Sequence, residues 1–432
     1  HKKSPLTVHD EVVDGVHIRL LKRQDPKCRN LNPKPLFRNV GFQRISECVK
    51  VNISGLIHDP HSIQDGVFFI LFQHLPASSD RNGQPGTGSN EPSGDGPTPN
   101  QIWYTTSDGN AVEVKYKDAF GKANFVSNIY KDGKGVITFD GPVQYIGDYA
   151  FAVCRNLKTI TIPSNASYIG SYAFTDCKSL VECNMANIQK IGSHAFDGCS
   201  AMPSITFPES LTEVGDATFF SCSGLKSINI PGSLQVISNE MFKNCSFITE
   251  ITINEGVEEI GKDAFNGCQT TEIKLPSTIT TIKSGAFYKT GLTKITIPEN
   301  VTAIEDETFS QCKDLKVVNI GSKVTSIGEK AFYGCRSLAS ITIPESVQSI
   351  GARAFHSCSV LTSFEGPYAS QDKRCIVINN DLFAFAPANI TEYTIPEGVT
   401  AIAPYVFCEN LGMDSETEGL TALTIPDGVV SI

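Results

Sequence analysis

Apolar positions recur in a fixed register over most of this chain. The stretch from Ile327 to Ile350 reads I-G-x-x-A-F-x-G-C-x-x-L-x-x-I-x-I-P-x-x-V-x-x-I, and Gly351 begins it again. Its phenylalanine returns at Phe151, Phe174, Phe196, Phe219, Phe242, Phe265, Phe287, Phe309, Phe332, Phe355 and Phe407, at steps of 23, 22, 23, 23, 23, 22, 22, 23, 23 and 52 residues. So steady a period predicts a solenoid, in which one repeat is too small to bury its own apolar face and relies on its neighbours. Within a turn, Ile341 and Ile343 alternate with Ser340 and Thr342, the period of a half-buried strand. Pro344 closes that strand because it has no N–H for the ladder. Val347 and Ile350 point inward on the return path, Gly351 permits the bend, and the next Ala354-Phe355 sends a ring into the middle of the coil. Stacked turns place parallel strands about 4.8 Å apart.

Departures from the pattern are informative. Cys183 and Met185 stand where other turns have Ile, so both are expected in the core. The Gln269–Lys274 turn is one residue short but keeps Ile273 and Leu275 in register. The long step between Phe355 and Phe407 holds two turns plus an insertion, Tyr368 to Pro387. There Cys375 to Phe383 reads as a β-hairpin turning at Asn379-Asn380-Asp381, and the repeat resumes at Tyr393-Thr-Ile-Pro396.

Residues 1–75 lack the repeat. Val16–Leu20, Val49–Ile53 and Val67–Phe72 read as strands of a small β-sandwich-like module, in which Cys28 and Cys48 could form a disulfide. Residues 76–99, rich in Gly, Pro, Ser, Asn and Asp, read as a flexible linker that buries too little to offset its ordering entropy. Residues 100–142 read as a cap over the solenoid's first turn. Two hairpins are expected in it, Gln101–Thr106 with Ala111–Val114 and Tyr130–Gly135 with Val136–Phe139, and Trp103 is expected to cover the open end. An exposed, ligand-binding Trp103 is the competing reading.

These turns resemble the BspA-like class of leucine-rich repeats, the treponemal type, through C-x-x-L-x-x-I-x-I-P followed by I-G-x-x-A-F-x-x-C over Val143 to Ile432. The insertion, with Tyr368-Ala-Ser370, Arg374-Cys375 and Ala384-Phe-Ala-Pro387, is similar to one in gut-bacterial members. The resemblance implies an extracellular, non-enzymatic binding protein of the adhesin kind, at the cell surface or secreted. The expected architecture is mostly β, a right-handed leucine-rich-repeat solenoid of 22–23-residue repeats over residues 143–432, with the hairpin insertion at about 368–387.

Composition narrows the function. A net charge of −10 argues against nucleic acid or an anionic membrane as partner. No run of 18 apolar residues exists to span a bilayer. The His1-Lys2-Lys3 start suits a mature or trimmed chain with room for a lipid anchor upstream of residue 1, and the stop at Val430-Ser-Ile432 suggests an end within a repeat or a chain that finishes there without a separate cap. A monomer without cofactor or metal is expected.

Nine of the fourteen cysteines fall three residues after a repeat Phe: Cys154, Cys177, Cys199, Cys222, Cys245, Cys268, Cys312, Cys335 and Cys358, with Thr290 in the odd turn. A ladder of small buried side chains is favoured over disulfides, because stacked cysteines on parallel turns point the same way. No C-x-x-C pair or interleaved His suggests zinc. His58-Asp-Pro-His61 lacks a third ligand nearby, and His194 and His356 read as surface residues. The acidic groups Glu258-Glu259 and Glu305-Asp-Glu307 read as solvated turns rather than a glycosidase pair. Asn165, Asn300 and Asn389 match glycosylation sequons, which the repeat's own wording explains. No nucleophile elbow, phosphate loop or dinucleotide fingerprint is present.

The usable surface of a solenoid is its strand face. The expected protein-binding column there runs Thr161, Thr206, Asn229, Thr252, Lys274, Thr296, Asn319 and Thr342. Its side chains are short and polar and offer no aromatic or Arg anchor. The expected partner is an extracellular protein. A glycan is the alternative, with Tyr368, Phe383 and Phe385 as candidate contacts, and a spacer role for the solenoid is the third reading.

Overall fold

The computed structural model describes three strands within residues 6–73, then residues 96–407 and 420–432. The chain divides into two compact units, His1–Asn90 and Glu91–Ile432. In the first, β1 (Leu6–Val13), β2 (Val16–Arg23) and β3 (Phe69–Gln73) form one antiparallel sheet with β2 in the centre. The expected runs at Val16 and Val67 fall on β2 and β3. Val49–Ile53, Cys28, Cys48, the His58–His61 segment and residues 76–95 lie outside the described residues.

The second unit is an all-β solenoid of about eleven turns, with no helix among the described residues. Neighbouring turns are joined by two sets of parallel ladders, each interrupted along the solenoid. The first is the expected one, in which Ser227–Ile230 pairs in register with Glu250–Ile253, and Lys294–Thr296 with Val317–Asn319. The second lies on the return path, where Ile-before-Gly positions such as Ser326–Ile327 and Ser349–Ile350 form two-residue strands. These pieces are too short to show a strand period, so in the sequence only their inward-pointing residues are legible.

Packing follows from the register. Ten phenylalanine rings from Phe151 to Phe355 stack in one file, with neighbouring centroids between 5.1 and 5.8 Å apart. From Cys177 to Cys358 each cysteine of the file donates its thiol to the carbonyl of the Phe one turn earlier, as Cys177 does to Phe151 O at 3.1 Å and Cys245 to Phe219 O at 3.0 Å, while Cys154, at the start, donates to Glu113 O of the cap. The Phe carbonyl also accepts the N–H of its own turn's cysteine, as Phe151 O does from Cys154 at 3.1 Å. The Cys file is thus a hydrogen-bonded seam of free thiols. Thr290 continues it, its hydroxyl lying 3.1 Å from Cys312 Sγ.

The cap differs from expectation in two respects. β4 (Gln101–Thr106), β5 (Phe125–Lys131) and β6 (Lys134–Phe139) continue the first ladder as antiparallel strands, since β4 pairs with both β6 and Leu157–Thr161. The β5–β6 hairpin turns on Asp132 (φ 51°) and Gly133 (φ 81°), as expected of a tight turn. Ala111–Val114, however, forms no strand. Both edges of β4 are already taken, and Val112 is held instead by Tyr104 Oη and Asn128. Nor does Trp103 seal the end. Phe120 does, fully buried and edge-on to Phe151 at 5.8 Å. Alternation along β4 turns Ile102 and Tyr104 inward, so Trp103 must face out.

The insertion forms a hairpin, Cys375–Ile378 with Asp381–Phe385, on a two-residue turn of Asn379 and Asn380. Its second strand pairs with Ala401–Ile402 and so takes the place of one turn in the second ladder. The core divides here, and Cys375, Leu382, Phe385 and Tyr393 belong to a second cluster.

Candidate functional site

The predicted binding column sits on the outer side of the first ladder. Thr206, Asn229, Thr252, Lys274, Thr296, Asn319 and Thr342 are exposed, and Thr161 is half-buried. Backbone pairing puts several of them side by side: Asn229 beside Thr252, Thr252 beside Lys274, and Thr296 beside Asn319. Asn319 Nδ2 donates to Thr296 Oγ1 at 3.1 Å, and Asn254 Nδ2 to Asn229 Oδ1 at 3.0 Å. Lys294 and Glu272 bridge the adjacent row at 2.8 Å, both well exposed, and an exposed pair of this kind adds little stability.

The column is not continuous. Between Asn184 and Thr206 no ladder pair forms, and the sequence supplies a reason. In neighbouring turns the residue opening the strand donates its N–H to the previous turn, as Val181 does to Lys158 O and Lys226 to Pro203 O. Pro203 occupies that position and has no N–H to give. Val317–Asn319 and Ser340–Thr342 also do not pair, and a further break follows Glu365. Phe364 N donates to Lys373 O at 2.7 Å and Lys373 Nζ meets Glu365 at 2.7 Å, so the lead-in to the insertion covers that strand edge.

At the other end the face gains an aromatic residue that the polar column itself does not have. Trp103 lies directly opposite Thr161, half-exposed, with Lys134 Nζ 3.2 Å from the ring centroid. Thr105 Oγ1 and Thr159 Oγ1, 2.7 Å apart, show that β4 and its neighbour share one outer face. In register beyond Trp103 come Val136 and Ile129, and Ile129 is exposed. The Q-I-W-Y-T-T alternation carried this signal, but Trp103 and Tyr104 compete for the inward position in sequence, and only the packing of Tyr104 decides between them.

The remaining candidates are absorbed by structure. Tyr368 Oη donates to Glu345 O at 2.8 Å, Tyr368 and Phe383 pack half-buried against the core, and Phe385 is buried. His194 and His356 are half-buried rather than surface residues: His194 stacks on Tyr172 and bonds Asp197 at 3.0 Å, and His356 stacks on Tyr333. The acidic groups fasten turns together, with Glu305 accepting the Ser284 N–H and Asp306 that of Glu329. Asn165 and Asn300 likewise donate to the preceding turn, at Val143 O and Ser277 O. Burial drives the seam thiols upward, Cys154 and Cys312 to about 11 and Cys245 to about 12, which removes them as nucleophiles. Among the described residues no cluster of three His, Cys, Asp or Glu side chains could hold a metal ion, and no helix is long and apolar enough to cross a membrane.

A leucine rich cell surface protein of Faecalibacterium prausnitzii is 23% identical, covering 69% of this chain and 86% of its own, with a TM-score of 0.40. A leucine-rich repeat protein of Bacteroides ovatus is 25% identical over 56% and 79%, with a TM-score of 0.35. The pneumococcal vaccine antigen PcpA is 19% identical over 70% and 88%, with a TM-score of 0.41. No curated protein matches. The model of the BspA type leucine rich repeat region matches residues 134–247, 185–290, 235–362 and 280–414, well over half of the sequence, and the chain therefore belongs to that family.

Proposed function

We propose that this chain is a non-enzymatic binding protein of the bacterial cell surface, and that its strand face docks an extracellular protein as an adhesin does. The observation that carries this reading is the continuity of Trp103 with the Thr161 end of the polar column. Short Thr and Asn side chains make a flat, hydrogen-bonding surface, and a rigid aromatic at one end supplies the anchor that such a surface needs. The reading places the protein outside the cell, attached to the envelope by a lipid or secreted, and acting as a monomer through many weak contacts.

The test is surface plasmon resonance of the full chain against a panel of matrix proteins. Saturable binding should fall at least tenfold in Trp103→Ala and again in a Thr252→Arg, Thr296→Arg double variant. Binding that survives both changes would move the function off the strand face and leave the solenoid as a spacer.

A further inference from the structure

Turning the solenoid away from its strand face exposes a concentration of aromatic rings that the repeat does not require. The position before Ile-Gly holds Tyr145 and Tyr168 in the first two turns, then Lys190, Glu213 and Val236. The position two before the Phe holds Tyr149, Tyr172 and His194, then Ala217 and Glu240. Because turns stack in register, each sequence coincidence becomes a column. Tyr145 pairs beside Tyr168, edge to face at 6.5 Å. Tyr149, Tyr172 and His194 stack flat at 4.9 and 4.8 Å. Tyr116, from the cap, leans on Tyr149 at 6.3 Å. Tyr116, Tyr145 and Tyr149 are 49%, 37% and 44% exposed, a grouping of large apolar surface that marks interaction sites.

Between the cap and these columns lies a cleft of about 500 Å³. Tyr116, Tyr145 and Tyr168 line it, with Asp118, Asp148 and the backbone at Gly147. Its size is that of an ordinary small-ligand site. The floor is rigid, because Gly147 N donates to Ala119 O at 2.6 Å and a Cβ at Gly147 would stand 2.6 Å from that oxygen. Asp148 is fixed through Oδ1, which accepts the Ser171 N–H at 2.7 Å. Burial and the nearby Asp148 carboxylate raise the Tyr168 phenol, so it stays protonated and able to donate.

The lining selects a ligand class. Phenol rings pack against the C–H face of a sugar ring, carboxylates accept its hydroxyl protons, and phenol hydroxyls both give and take hydrogen bonds. No Lys or Arg lines the cleft, so an anionic sugar would meet Asp118 and Asp148 with nothing to neutralise it. A quaternary ammonium would engage the rings and carboxylates by charge alone and leave the phenol hydroxyls and the backbone polar groups without a partner. We propose that this cleft is a carbohydrate-binding site for a neutral oligosaccharide, distinct from the protein-binding strand face.

The full chain is titrated by isothermal calorimetry and saturation-transfer NMR with neutral probes (maltohexaose, cellohexaose, xylohexaose, mannohexaose and chitohexaose) and with sialyllactose and choline. Binding is expected for at least one neutral probe, with sialyllactose and choline inert. Tyr145→Ala should weaken that binding tenfold or more and Asp118→Asn severalfold. Both residues are on the surface, so unchanged melting of the variants confirms that they fold. Trp103→Ala should leave sugar binding unchanged, which separates this site from the strand face. Failure of every neutral probe, a preference for sialyllactose or choline, or full affinity in both Tyr145→Ala and Asp118→Asn would overturn the proposal.

Discussion

Removing one ring from the middle of the phenylalanine file tests how the solenoid is held together. Phe265 is fully buried, with Phe242 at 5.8 Å and Phe287 at 5.7 Å, both nearly parallel to it. Truncating a buried Phe to Ala costs about 3–5 kcal/mol, the spread depending on how far the site collapses. Collapse is blocked here. The neighbouring rings are pinned by backbone bonds between turns, Phe242 N to Ala264 O and Phe265 N to Ala286 O, each 2.9 Å. Phe265→Ala should therefore fall in the upper half of that range, about 4 kcal/mol, or roughly a thousandfold in amide protection. The loss should also be local, because each turn contacts only its neighbours. Hydrogen exchange read by mass spectrometry should show it over residues 242–309 and spare the turns near Phe151 and Phe355. Trp103, the single Trp, reports separately on the cap by fluorescence in urea and should shift less. A loss below about 1 kcal/mol at Phe265, or an equal loss at every turn, would refute the picture of a ring file with nearest-neighbour coupling.

Three further expectations follow from the packing. The seam thiols should resist alkylation at pH 8 until the chain is unfolded, as mass spectrometry would show. Burial lifts each of them above the ordinary value of 9, to about 12 for Cys245 and Cys358, so the folded state keeps protons that the unfolded state releases. Their contribution is complete below pH 9 and is lost as pH rises toward 12, so the urea midpoint should fall across that window; a flat profile would contradict the burial. Gly135→Ala should cost about 1–3 kcal/mol in thermal unfolding, since its Cβ would lie 2.0 Å from the Tyr104 ring. Arg374 donates to Ala386 O at 3.1 Å and Ala388 O at 2.8 Å, closing the base of the insertion. Arg374→Met should cost about 1.5–3 kcal/mol per lost bond and open the 375–388 amides to exchange without moving those near Phe265.

Much of this architecture could be read from the sequence because a repeat turns one physical constraint into many copies of the same evidence. The Phe, Cys and Ile-x-Ile-Pro positions each depend on burial within a single turn, so spacing alone placed the core, the strand face and the free cysteines. The tight turn at Asp132-Gly133 was legible for the same local reason. What spacing could not supply were relations between segments that do not repeat. Trp103 faces out because Tyr104 packs under Gly135, a contact spanning 31 residues. Ala111–Val114 forms no strand because β6 and the first repeat strand already occupy both sides of β4. The breaks in the column at Pro203 and Lys373 depend on which neighbour supplies each hydrogen bond. The tyrosine cleft needs the cap loop folded against the first two turns. The sequence determined what one turn buries, and the tertiary structure decided which surfaces are left over where turns meet something other than another turn.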